Sequence, residues 1–267
     1  MSRKSRKAFY QKNCKRARRE DKSGFACKYS SRYNDAQVQD GDGGNAMSDE
    51  LTIPAFIVRI SYDIVKEETP NETSLNRVLE LAGLERFVNN PPPMDDSPSI
   101  TRREFEKMIG VVWQVFDEEQ ARSIFRRTGQ LGFDHLMRSR VLTFAQFLHA
   151  FDALDSKSER IALAMQRLTQ ELSRAMGNRH DFHRDGSDFI LDIYDCPYCS
   201  ELTRGPSPIL DVHLCYIPVS FYEAAANWAS GEKNTVREIA CRVSTGQEYC
   251  RFKIFWNVSL ADSNWRK

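Results

Sequence analysis

The sequence predicts an α+β fold in which helices come first and one small, mostly antiparallel sheet follows. Up to Gly177, apolar residues recur every three or four positions, which is the spacing of one face of a helix. After Gly177 they alternate with polar residues, as in a half-buried strand. A helical stretch ending near Gly231 interrupts this second part, so we expect one helix inserted among the strands.

The first 46 residues differ in charge from the rest of the chain. They hold twelve Lys and Arg against five Asp and Glu, whereas residues 47–267 hold 26 basic and 32 acidic residues. A basic, Gly-rich segment without an apolar face is typical of a disordered tail. It is either a solvated tail or an arm for nucleic acid or acidic lipid, and Met47 is an alternative start. Residues 47–267 are expected to form a single domain.

The cysteine content predicts reduced thiols. The chain has seven cysteines, and its basic N-terminus is not followed by the apolar stretch of a secretory signal. There is also no apolar run of about 18 residues that could span a membrane. The expected location is therefore the cytoplasm, where metal ligation or burial of cysteine is more common than disulfide formation.

The helical part divides at turn-forming residues. One helix is expected after Pro54, and a second over residues 71–82 with a stop at Gly83. Residues 99–132 predict a further helix, which is capped by Ser99 or Thr101 and closed by Gly129 and Gly132. Residues 143–176 carry two apolar stripes, which fit two helices or one broken helix.

The sheet part begins with residues 187–196, which predict a strand. The polar run RHDFHRD before it is interpreted as a solvated loop. Two more strands are expected at 235–243 and 248–256, with Gly246 in the turn between them. In the last strand, Cys250 shares the apolar face, whereas Arg251 and Lys253 point the other way.

Five cysteines fall between residues 196 and 250. The CxxC pair Cys196 and Cys199 fits a zinc knuckle, a redox pair or two loop thiols. Glu238 and Cys241 are three residues apart, so in a regular strand they point to opposite faces. They can bind one ion only if the strand ends or bulges between them.

The chain resembles the 4-vinyl reductase domain family over roughly residues 52–256. The segments that carry this resemblance appear in the family's order: TSLNRVLELAGL, ARSIFRRTGQLGF, DCPYC, LCYIPVSFYEAAANW and VREIACRVSTGQEYCRF. The family includes sensor domains of phenol-responsive regulators and a protein linked to bacteriochlorophyll synthesis. The resemblance implies a fold similar to TRAPP subunits and the haem nitric-oxide sensor domain, often as a homodimer.

The resemblance also implies a structural zinc ion. In the phenol sensors, three cysteines and one glutamate hold it, and the matching positions here are Cys215, Glu238, Cys241 and Cys250. Cys196 and Cys199 are absent from those sensors and are a second choice, replacing or supplementing this set. Ser220 stands where the sensors have glycine, so helix packing there is expected to differ.

The function implied is a non-catalytic binding module for a phenol, a hydrocarbon chain or a tetrapyrrole. Six aromatic residues are candidates for lining its pocket: Phe144, Phe147, Phe151, Tyr194, Phe221 and Trp228. One alternative is a carrier or accessory factor in tetrapyrrole synthesis, and another is an interaction subunit without a ligand. A reductase is disfavoured, because the sequence has no nicotinamide-binding GxGxxG, no flavin signature and no iron–sulfur spacing.

Overall fold

The computed structural model describes residues 52–139, 154, 156–199 and 215–256, and their architecture confirms the α+β class. Among these residues, no helix combines the length and the apolar character needed to cross a bilayer. The helices and strands, numbered in chain order, are β1 Thr52–Pro54, α1 Ala55–Glu68, α2 Glu72–Ala82, β2 Pro98–Thr101, α3 Arg102–Val115, α4 Glu118–Ser139, α5 Lys157–Met176, β3 His180–Asp185, β4 Asp188–Tyr194, α6 Tyr216–Ser230, β5 Thr235–Ala240, α7 Arg242–Thr245 and β6 Tyr249–Phe255.

The predicted helix boundaries are confirmed where capping residues set them. Helix α1 follows Pro54, and α2 runs from its cap, Asn71, to Gly83. Thr101 caps α3 in a reciprocal arrangement: its hydroxyl accepts from the Glu104 N–H, and the Glu104 carboxylate accepts from the Thr101 N–H. These contacts satisfy N–H groups that the first helical turn leaves without a partner.

The prediction of one helix over residues 99–132 was wrong, because the chain forms two helices that break at Phe116 and Asp117. Gly129 and Gly132 lie inside α4 rather than at a helix end. A Cβ atom on Gly129 would lie only 2.2 Å from the Ile217 carbonyl oxygen and 2.1 Å from the Ser220 Oγ. Gly129 is therefore needed for the close approach of α4 to α6, a requirement that the partner helix imposes.

The main sheet has the order β3-β4-β6-β5, with every neighbouring pair antiparallel. Helix α6 lies between β4 and β5 in the chain, as the sequence predicts. Two expectations were wrong. The polar run that includes His180 forms the edge strand β3, where exposed polar side chains are common. A second sheet is also present, since β1 pairs with β2.

The two faces of β6 differ as its alternating pattern predicts. Cys250, Phe252 and Ile254 are fully buried beneath the helices. On the other face, the Arg251 guanidinium donates to both oxygens of Asp192 at 2.7 and 2.8 Å. The register pairs Cys250 with Ile193 of β4, which places this thiol at the end of the sheet where β4 leads into the CxxC segment.

Candidate metal centre and cavity

Six potential metal donors meet at one end of the main sheet, and we call them the donor cluster. They come from separate segments: the turn after β4, the residue before α6, the end of β5 with the residue after it, and the core face of β6. All six side chains are buried. The donor cluster consists of Cys196, Cys199, Cys215, Glu238, Cys241 and Cys250.

An irregularity in β5 places two of these donors on the same side. The pairing of β5 with β6 shifts register between Glu238 and Ala240. Ile239 consequently faces outward, with 47% of its surface exposed, while Glu238 and Cys241 are 7% and 1% exposed. This irregularity is the bulge that Glu238 and Cys241 need if both are to bind one ion. Gly246, at a φ of 70°, then ends α7 and allows the chain to return along β6.

The sulfur–sulfur distances fit a tetrahedral thiolate site. Cys215 Sγ lies 3.6 Å from Cys196 Sγ and 3.8 Å from Cys250 Sγ. Cys250 Sγ lies 4.0 Å from Cys241 Sγ. Zinc–sulfur bonds of about 2.3 Å in a tetrahedron separate the sulfurs by roughly 3.8 Å. The donor types and these distances therefore fit a tetrahedrally coordinated ion such as Zn²⁺.

The CxxC segment belongs to the same cluster. Cys199 Sγ lies 3.3 Å from Cys250 Sγ, well beyond the roughly 2.05 Å of a disulfide bond. None of the five described cysteines forms a disulfide bond. Cys196 and Cys199 are each completely buried, so they are inaccessible to a redox partner in this conformation.

Burial and crowding change the acidity of the donors. Burial, together with the nearby Cys241 and Cys250, raises the pKa of Glu238 to about 9. Burial also raises the pKa of Cys215 well above its usual value. Hydrogen bonding with the Cys199 and Cys215 thiols lowers the pKa of Cys241 to about 7. Without a metal ion Glu238 and Cys215 therefore retain their protons at neutral pH, and an ion bound to them would displace those protons.

A half-buried cation, Arg102, lies near the CxxC segment. Arg102 Nε donates to Glu106 Oε1 at 3.0 Å, and the Glu106 side chain is 1% exposed. Burial lowers the pKa of Arg102, whereas nearby Asp195, Cys196 and Cys199 raise it. This pair was not among the predicted functional residues, although the four-residue spacing of Arg102 and Glu106 on a helix was a visible signal.

An apolar cavity lies between the helices and the sheet, and we call it the central cavity. Its volume is about 30 Å³, which is enough for one or two water molecules. Thr128 and His180 are among its few polar neighbours, and the Ser173 Oγ lies 3.1 Å from the His180 Nδ1. Apolar and small residues that line it include Phe56, Gly132, Met176, Tyr198, Ile217 and Phe221.

The predicted ligand-lining residues separate into three groups. Phe221 lines the central cavity. Tyr194 and Trp228 are described but are not among its lining residues: Tyr194 contacts Arg179 and Tyr249, and Trp228 contacts Phe133. Phe144, Phe147 and Phe151 lie outside the described residues, so their role stays a prediction.

The donor cluster and the central cavity share short segments of chain. Tyr198 stands between Cys196 and Cys199, and its ring lines the cavity while its hydroxyl reaches Met176 Sδ at 3.9 Å. Ile217 and Pro218, which also line the cavity, follow Cys215 in the first turn of α6. Any movement of these donors would therefore move one wall of the cavity.

No model of a known protein family matches the chain, and no curated protein matches it. The membership of the 4-vinyl reductase family stays a prediction. Among solved structures, a Shewanella woodyi H-NOX domain bound to IWP-051 has 10% identity, covering 80% of this chain and 100% of its own, with a TM-score of 0.49. A Shewanella oneidensis H-NOX protein in the Fe(II)NO state has 13% identity, 76% and 98% coverage, and a TM-score of 0.48.

The phenol-responsive sensory domain of the transcription activator PoxR, solved with phenol, is also similar to this chain. Its identity is 12%, it covers 56% of this chain and 73% of its own, and its TM-score is 0.39. The H-NOX domains and the PoxR domain are each only weakly similar to this chain. Their low identities and TM-scores do not transfer a ligand or a site residue to this chain.

Proposed function

We propose that this chain is a non-catalytic binding module for a small apolar ligand, with a structural Zn²⁺ centre that fixes one wall of the ligand cavity. The observation that carries this proposal is that neighbouring residues of the same short segments contribute to the donor cluster and to the central cavity. Tyr198 lies between two potential donors, and Ile217 and Pro218 are two and three residues after a third, Cys215. A metal bound to the donor cluster would hold these cavity-lining residues in place.

The metal has a structural role in this proposal. Thiolate-rich tetrahedral zinc sites have no open position for a substrate, so they stabilise a fold instead of carrying out a reaction. The donors lie far apart in the chain: Cys215 precedes α6, whereas Glu238, Cys241 and Cys250 come after it, in and around β5 and β6. One ion bound to Cys215, Glu238, Cys241 and Cys250 would join α6 to β5 and β6. Thiol ligands also favour the reducing cytoplasm as the location.

The size of the cavity limits the ligand. A volume of about 30 Å³ does not hold a phenol ring, so the cavity must widen on binding. The flexible side chains of Leu172 and Met176 are among its lining residues and are suited to such a change. A small aromatic molecule or a narrow hydrocarbon chain requires less widening of the cavity than a flat tetrapyrrole does. We therefore propose a small aromatic or a hydrocarbon chain as the ligand.

Ligand binding can be tested with three probes: phenol, decanoate and protoporphyrin. Binding to the full chain would be measured by calorimetry and by the shift in thermal unfolding. We expect phenol or decanoate to raise the melting temperature. Gly132→Leu should abolish this shift, since its side chain would project into the cavity. A Cβ at Gly132 has its nearest neighbour at 3.9 Å, so the backbone does not exclude the substitution.

Leu131→Ala is the control for that variant, because Leu131 is on the same helix and 41% exposed. This variant should bind the probe as the wild type does. Equal binding by wild type and Gly132→Leu would place the ligand elsewhere and contradict the proposal. Binding of protoporphyrin alone would favour the second reading of the sequence, a tetrapyrrole carrier.

A second candidate function is an interaction subunit that binds no ligand, and the small cavity favours it. If none of the three probes binds and Gly132→Leu stabilises the fold, this candidate replaces the first. Such a subunit acts through its surface, and a homodimer remains the expected state for either candidate. Sedimentation velocity of the full chain would test the dimer.

A further inference from the structure

The donor cluster contains more donors than one zinc ion can use. Two sets of four have all their donor atoms within 4.8 Å of one another. One set is Cys196, Cys199, Cys215 and Cys250; the other is Cys215, Glu238, Cys241 and Cys250. The two sets share Cys215 and Cys250, and each adds two donors of its own.

A single four-coordinate ion would leave one pair of donors buried without a metal. The pair would be either Cys196 and Cys199, both 0% exposed, or Glu238 and Cys241, which are 7% and 1% exposed. Two tetrahedra that share an edge have six corners in total, which equals the number of donors present. The shared edge would join the Cys215 and Cys250 sulfurs, which lie 3.8 Å apart. A thiolate has enough lone pairs to bind two ions at once.

The charges also fit two ions. Five thiolates and one carboxylate carry a formal charge of −6, and two divalent cations (+4) leave −2. One zinc ion with three thiolates and one carboxylate leaves the same −2, so the second ion adds no net buried charge. The Arg102 guanidinium interacts electrostatically with Cys196 and Cys199 and would offset part of this charge.

We propose that the donor cluster is a binuclear site for thiophilic divalent cations such as Zn²⁺, in which Cys215 and Cys250 bridge the two ions. Cys196 and Cys199 complete the coordination of one ion, and Glu238 and Cys241 complete that of the other. This inference rests on the metal centre of the proposed function and extends it from one ion to two. It also gives all six buried donors the same chemical role.

The first test is the number of ions per chain. The full chain, purified without added metal, would be examined by native mass spectrometry and elemental analysis. We expect two zinc ions per chain. After exchange with ¹¹³Cd²⁺, we expect two cadmium resonances of unequal shift, because one ion has four sulfur donors and the other three sulfurs and an oxygen.

Paired variants then assign the ions. The double variants Cys196→Ser/Cys199→Ser and Glu238→Gln/Cys241→Ser should each retain one ion and lose a different cadmium resonance. Cys14→Ser/Cys27→Ser is the matched control, since it removes the same number of thiols from the N-terminal segment and should retain two ions. The wild-type stoichiometry and its cadmium spectrum decide the question even if a cluster variant fails to fold.

One ion per chain in the wild type, with a single cadmium resonance, would overturn the binuclear site and leave the single structural ion of the proposed function standing. Iron with acid-labile sulfide would overturn the binuclear thiolate site as well. Absence of any metal in a folded chain that also fails to take up added zinc would overturn both proposals.

Discussion

The donor cluster and the central cavity draw residues from the same two segments, 193–199 and 215–218, yet they differ in how completely each is prepared for an occupant. In the cluster, three of the sulfur–sulfur distances, at 3.6 to 4.0 Å, already suit a tetrahedral ion. In the cavity, the free volume of about 30 Å³ is too small for any ligand in the proposed class. The cluster is preorganised, whereas the cavity has to widen.

This difference suggests a division of roles between the two sites. Metal donors need fixed positions, and strand ends, a helix start and a tight turn supply them. A cavity for an apolar ligand can depend on side chains that rotate, such as Leu172 and Met176, as long as the backbone around it is held. The predictions below separate the two sites, beginning with the largest expected effect.

Loss of a shared donor should have the greatest effect. Cys250→Ser should remove metal binding and cost several kcal/mol of folding stability, since structural zinc contributes about 10 kcal/mol or more in small zinc domains. Urea unfolding followed by circular dichroism would measure this. Cys27→Ser, in the N-terminal segment, should leave the transition unchanged. A Cys250→Ser protein as stable as the wild type would show that the cluster does not hold the fold together.

Alanine substitution at the two glycines of α4 should change the folding stability in opposite directions. Gly129→Ala should destabilise the fold by about 3 kcal/mol, because its Cβ would overlap the Ile217 carbonyl oxygen of α6. Gly132→Ala has space for its Cβ and should be neutral or stabilising by up to about 1 kcal/mol. Thermal and urea unfolding of the pair would compare them. Equal stabilities would contradict the close packing of α4 on α6.

His180 should make the cavity side of the protein sensitive to acid. Burial lowers the pKa of His180 to about 4, while Asp181 opposes this shift. The unfolded chain therefore binds a proton at higher pH than the folded chain does, and stability should fall as pH decreases from about 6.5 to 4. We expect the wild type to lose about 2 kcal/mol more than His180→Gln over this interval.

Urea unfolding at several pH values would give this difference. His180→Gln is a suitable reference because glutamine keeps a polar group near Ser173 but does not titrate. It also shares any loss of metal at low pH, so the comparison isolates the imidazole. If the unfolding free energies of the two proteins fell in parallel with decreasing pH, the fold would not be keeping His180 neutral.

The elements that were predictable from the sequence are those fixed by neighbouring residues. Thr101 and Glu104 mark the start of α3, and the alternation around Cys250 places that thiol on the core face of β6. The candidate donors were also named in advance, Cys196 and Cys199 from their CxxC spacing and the other four from the resemblance to the 4-vinyl reductase family. The condition for combining Glu238 with Cys241, a bulge, could be stated in advance and is met.

The features that the sequence did not reveal depend on partners distant in the chain. Gly129 is required by α6, almost ninety residues later, so it looked like a helix end. His180 lies in a polar edge strand, which lacks the apolar alternation of an internal strand. Cys196 approaches Cys215, and Tyr198 lines the central cavity, only because the turn after β4 meets the start of α6.

Hydrogen exchange with and without bound zinc would test the central claim most directly. Amide exchange would be followed by mass spectrometry on the full chain before and after metal removal. We predict faster exchange after removal in residues 189–199, 215–222 and 235–255, including the cavity wall at Tyr198 and Ile217, with little change in α2. Unchanged exchange at Tyr198 and Ile217 in a protein that has lost bound zinc would show that the metal does not fix the cavity wall.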